Sequence, residues 1–148
     1  MRLKRALLVS AATCAVLAGP AFTGTAAAAS NVTTEDVSTS WGYAEVKAAW
    51  RLNPYKLDPL YLYVKDKAAD GHSVGVRLIT TGDAGTHYFP MHRVSTGAGT
   101  AWGATSYANP GGWISTARIE LCQMEGSTVL KCVSSGIMYP AFDDSTNS

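Results

Sequence analysis

The chain has 148 residues, of which 16% are charged and 47% hydrophobic, and its formal net charge is +1. It contains no run of like charge, which argues against a nucleic-acid or anionic-membrane binder, since such proteins cluster Lys and Arg to neutralise phosphates. Its size suits one ordinary domain with a single core and is too small for two.

Arg2, Lys4 and Arg5 form a cationic start, followed by an uncharged and mostly apolar stretch from Ala6 to Ala18. A stretch that short is the core of a signal peptide rather than a membrane span. Gly19 and Pro20 break it, and Ala26 to Ala29 supply the small side chains of a cleavage site, so residues 1–29 are read as a signal peptide. The lone Cys14 departs with it, because no lipidation pattern precedes it. Removal takes three of the 12 basic residues and none of the 11 acidic ones, leaving a net charge of −2. The expected location is extracellular, with no membrane contact after processing.

Residues 30–40 are rich in Ser and Thr and are read as a flexible leader to a domain spanning 41–142. From Tyr43 to Leu52, Ala44, Val46, Ala48, Trp50 and Leu52 alternate with other residues as in a strand, while the alanines favour a helix. The strand is the preferred reading. Asn53-Pro54 and Asp58-Pro59 then mark a turn region, because a residue before proline avoids helical backbone. Further strands are predicted over 60–65, 73–80, 87–94, 101–107, 114–124 and 128–133. They are separated by turn-forming residues at Asp70-Gly71, Gly82-Asp83, Gly97-Ala98-Gly99 and Asn109-Pro110-Gly111-Gly112. Six or seven short strands at this spacing predict an all-β fold, an antiparallel β-sandwich of jelly-roll-like kind, with a small barrel as the alternative. Residues 143–148 form a polar tail.

After export only Cys122 and Cys132 remain, and an oxidising exterior favours a disulfide between them. Pairing them across a hairpin sets Leu121 opposite Val133, Ile119 opposite Ser135 and Gln123 opposite Lys131, with Gly126-Ser127-Thr128 as the turn. The apolar pairs are then expected to share a buried face.

The segment from Tyr63 to Ser73, YVKDKAADGHS, together with the Cys122 and Cys132 hairpin, resembles a loose group of small secreted proteins of Streptomyces-like actinobacteria. The likeness covers most of residues 60–133. It implies export and a compact β domain, and it carries over no catalytic residue.

Chemistry-bearing residues are sparse. Asp66, Asp70 and Asp83 are the candidates for a hard cation, but Asp beside Gly ordinarily caps its own turn, so no metal or cofactor is expected. His72, His87 and His92 are the only imidazoles, and in one strand His87 and His92 would point to opposite faces. No G-x-S-x-G elbow occurs. Aromatic residues are more informative. If Leu60, Leu62 and Val64 face the core, Tyr61 and Tyr63 form an exposed platform. Trp102, Tyr107 and Trp113 bracket Gly-rich and Asn-Pro-Gly-Gly loops, where flat rings suit sugar stacking or protein contact. Tyr61, Tyr63, Trp102, Tyr107 and Trp113 are therefore the predicted ligand-binding residues of a non-enzymatic module for an extracellular glycan or protein. The alternatives are a protease-inhibitor-like protein using the disulfide hairpin and a small extracellular hydrolase.

Overall fold

The structure, a computed structural model, describes residues 31–52, 54–95 and 97–140. The predicted signal peptide and the polar tail lie outside the described residues. Within them the chain forms nine strands and no helix: β1 (Val32–Ser38), β2 (Gly42–Leu52), β3 (Tyr55–Asp66), β4 (Ser73–Gly82), β5 (Gly85–Tyr88), β6 (His92–Val94), β7 (Ala101–Ala108), β8 (Ile114–Glu125) and β9 (Thr128–Ser134). All pairs are antiparallel. One sheet has the order β1-β2-β3-β7; the other has β5-β4-β8-β9, with β6 also on β4.

Side-chain alternation explains how the two sheets join. Ala44, Val46, Ala48 and Trp50 of β2 and Leu60, Leu62 and Val64 of β3 are buried on one face of the first sheet. Val74, Val76 and Leu78 of β4 and Ala117, Ile119 and Leu121 of β8 are buried on one face of the second, and all belong to a single apolar core. Gly42 of β2 lies against Leu121 and Val74 of the other sheet, and a Cβ there would stand 3.2 to 3.3 Å from their methyl groups. The expected antiparallel sandwich is what forms. Sequential neighbours pair within each sheet, β1-β2-β3 in the first and β4-β5 and β8-β9 in the second.

The Tyr43–Leu52 stretch is a strand. Its alternation prevails over the helix preference of alanine because β2 lies between β1 and β3, where only one face can be buried.

Three boundaries differ from expectation. Residues 32–38, read as a flexible leader, form edge strand β1. Val37 is buried, and the Trp50 indole donates a 2.8 Å hydrogen bond to Thr33 Oγ1, so one apolar side chain, one indole and the β preference of Thr suffice to hold it. The predicted turn at 53–59 is shorter, because β3 begins at Tyr55 and carries Pro59 at a register shift between Leu57 and Leu60, where a proline without an N–H is tolerated. The predicted strand 87–94 is two strands, since Phe89, Pro90 and Met91 interrupt it. That interruption resets the side-chain phase. His87 lies opposite Thr80 and His92 opposite Val76, both inward-facing positions, so the two imidazoles are not on opposite faces.

Cys122 and Cys132 are bonded and directly opposite each other. Leu121 faces Val133 and Gln123 faces Lys131, while Ser135 N–H donates to the Ile119 carbonyl, as the spacing predicts. The turn is one residue tighter, with Gly126 at φ 58° and Thr128 already paired to Glu125. The shared buried face is not realised. Leu121 is fully buried but Val133 is 42% exposed, because β1 packs over β8 and leaves β9 as the outer edge. Met138, bridged to Ala117, closes the core on that side. Loop-closure entropy for a bridge spanning 10 residues gives about 2.5 to 3 kcal/mol. A Cys122→Ser/Cys132→Ser protein is thus expected to lose about that much unfolding free energy in urea titration while keeping its β-sheet circular dichroism.

Candidate functional site

The outward face of the first sheet carries the most developed aromatic cluster. Because Leu60, Leu62 and Val64 are buried, Tyr61 and Tyr63 point outward, each partly exposed. Tyr63 pairs with Glu45 on one side and Gly103 on the other, and Tyr61 pairs with Lys47 and Thr105. The missing side chain at Gly103 gives the two rings room over β7: a Cβ there would come within 2.9 Å of Tyr61 Oη and 3.1 Å of a Tyr63 ring carbon. Tyr43, from β2, meets Tyr63 edge to face with centroids 6.1 Å apart. Three tyrosines from two strands therefore share one solvent-facing surface. A groove of about 150 Å³ runs beside them, lined by Lys47, Pro59, Tyr61 and Thr105 among others.

Three polar groups beside the rings are linked to one another. Glu45 receives the Tyr43 hydroxyl at 3.3 Å and the Lys47 ammonium at 2.8 Å. Burial, then the charge of Glu45, raises the Tyr43 pKa above its ordinary value of 10.0. The folded protein therefore holds the Tyr43 proton more tightly than the unfolded chain does. Stability from this source is complete below pH 10.0 and is lost as pH rises through the raised value. Denaturation followed from pH 9 to pH 12 is expected to show a decline in stability that is shallower in Tyr43→Phe.

The remaining predicted residues do not join this ring cluster. Trp102 pairs with Val64, which turns it to the core side of β7, where it stacks on His92 with centroids 4.2 Å apart. Tyr107 is 66% exposed at an outward position of β7, two residues beyond Thr105, and also borders a crevice with Phe89 and Pro90. Trp113 packs edge to face on Tyr55 beside the Asn109–Gly112 loop. Of the five predicted ligand-binding side chains, Tyr61, Tyr63 and Tyr107 stand on the outward side of the first sheet, and Tyr61 and Tyr63 are the two that meet over Gly103. Tyr43, which the sequence reading did not single out, joins them, and the signal for it was its odd position in β2 opposite the buried Ala44 and Val46 set. Trp41 and Trp50 are core residues.

The carboxylates of Asp66 and Asp70 accept hydrogen bonds from the backbone N–H two residues ahead, both at 3.0 Å, as turn caps do. Asp83 lies apart from them, in the β4–β5 turn against Gly112. His87 packs on Phe89, His92 on Trp102, and His72 sits in the β3–β4 loop. Among the described residues one set of three potential metal donors converges, Glu120 with Cys122 and Cys132, and its sulfurs are committed to the disulfide. A cleft of about 460 Å³ lies away from the predicted aromatic positions; it opens between the β3–β4 loop, the β6–β7 loop and the β8–β9 turn, with His72 on its wall.

Compared with known protein families, with curated proteins and with solved structures, the chain finds no match in any of the three.

Proposed function

We propose that the chain is an exported, non-enzymatic module that binds a neutral polysaccharide along the outer face of its first sheet. The observation that carries this reading is the convergence of Tyr43, Tyr61 and Tyr63 on one face, with Gly103 opening the space beneath two of the rings. A sugar ring presents C–H groups on one face and hydroxyls at its rim. A flat aromatic surface with polar neighbours complements both. Neutrality of the ligand follows from charge balance: on the outward face beside the rings, Asp36 and Glu45 are matched in number by Lys47 and Lys65, and Glu45 is itself shared between Lys47 and Tyr43. Export rests on the cationic start and uncharged apolar core of residues 1–29, and the single disulfide suits that compartment. Among the described residues no helix is long and apolar enough to cross a membrane.

The inhibitor-like reading has less support. The tip behind the disulfide is a tight turn at Gly126 and Ser127, tied down by a hydrogen bond from Arg93 to the Gly126 carbonyl, and it offers little chain for a protease cleft.

Cosedimentation with insoluble cellulose, chitin and xylan tests the proposal. Retention by at least one of them, persisting at high salt, is expected of a stacking surface without charge dependence. Failure to be retained by all three would remove the proposal.

A further inference from the structure

We propose that the cleft at the loop end of the sandwich binds a small oxyanion, a carboxylate or phosphate group, through Arg93 and His72. The site is separate from the tyrosine face and does not depend on it. Its volume of about 460 Å³ suits a small ligand, and its walls are kept open by small residues, including Ala68, Gly71 and Ala98.

Three observations give it a chemical sense. First, Arg93 makes one hydrogen bond, to the Gly126 carbonyl, and has no carboxylate partner among the described residues. A guanidinium has five N–H donors in a planar fork, so most remain available to an anion with two oxygens. Second, the nearby carboxylates are engaged elsewhere or do not line the cleft. Asp70 accepts from the His72 N–H through Oδ1 and from Gln123 Nε2 at 2.7 Å through Oδ2, and Asp66 is buried with Oδ1 on the Ala68 N–H. Third, His72 lines the same cleft as Arg93 and is only partly buried, and an imidazole N–H is a second donor type for an oxyanion held by a guanidinium. The Ser73 hydroxyl, also on the wall, donates to the Met124 carbonyl at 3.3 Å and fixes the β4 end of the site.

Titration of the purified protein with sodium acetate and with inorganic phosphate, at ionic strength held constant with sodium chloride, tests this by NMR at the Arg93 Nε–H and His72 ring signals. Saturable shifts with either anion are expected, and Arg93→Gln should weaken binding by about tenfold or more while the melting temperature is preserved. Arg93→Lys, which keeps the charge but loses the fork, should show an intermediate affinity and serves equally if the Gln variant is unstable. A response to acetate alone assigns a carboxylate ligand, and one to phosphate alone assigns a phosphate. Shifts that never saturate, that chloride reproduces, or that persist unchanged in the Arg93 variants would overturn the proposal.

Discussion

Leu121→Ala is expected to lower the unfolding free energy by about 3 to 5 kcal/mol, the range for a buried leucine whose cavity cannot collapse. Leu121 is fully buried in β8, and its two methyl groups face Gly42 across the sandwich. Gly42 has no side chain to move into the space, so little relaxation is available. Against the 5 to 15 kcal/mol typical of a domain, this is a large fraction of the whole, and it corresponds to a fall in melting temperature of roughly 10 to 20 °C. Val133→Ala supplies the contrast. Val133 is the cross-strand partner of Leu121, yet it lies on the exposed edge strand, so its truncation should cost only about 0.5 to 1 kcal/mol. Equal losses at the two positions in thermal or urea denaturation would mean that β9, like β8, is covered.

The second large effect concerns binding. Each of Tyr61→Ala and Tyr63→Ala should weaken retention on the recognised polysaccharide by about tenfold, and the double variant by about a hundredfold, if each ring contributes the 1 to 2 kcal/mol usual for an aromatic anchor. Fold stability should change little, since both rings lie outside the core cluster. Tyr88→Ala is the matched control: it removes an exposed tyrosine of β5, in the other sheet. Affinity electrophoresis of the four variants beside the parent protein reads these differences directly. Equal retardation of the double variant and the parent would exclude the tyrosine face as the binding surface.

The parts of the fold that a strict pattern controls were legible in the sequence. A period of two in β2 and β3 placed Tyr61 and Tyr63 outward, and the spacing of Cys122 and Cys132 fixed the β8–β9 register. Elsewhere the controlling contact is remote. β1 is held by Trp50, 17 residues beyond Thr33, so a polar Thr-rich segment reads locally as unstructured. In β7 the inward positions are Trp102, Ala104, Ser106 and Ala108, and the small or polar side chains of the last three do not declare which face is buried, so the inward turn of Trp102 was not readable. Burial of Val133 in β9 failed for a similar reason: alternation shows which side chains share a face, but not whether another sheet extends far enough to cover it. The role of Gly103 needs the β3–β7 register, and the cleft holding Arg93 and His72 needs three loops assembled at one end.

The most direct test of the central claim is an NMR map of the tyrosine rings in the presence of a soluble oligosaccharide of whichever polysaccharide retains the protein. Perturbation is predicted at Tyr43, Tyr61 and Tyr63, with Tyr88 of β5 and Tyr139, in the segment after β9, both exposed, left unchanged. Perturbation centred on Tyr55 and Tyr107, with the three clustered tyrosines silent, would contradict the account.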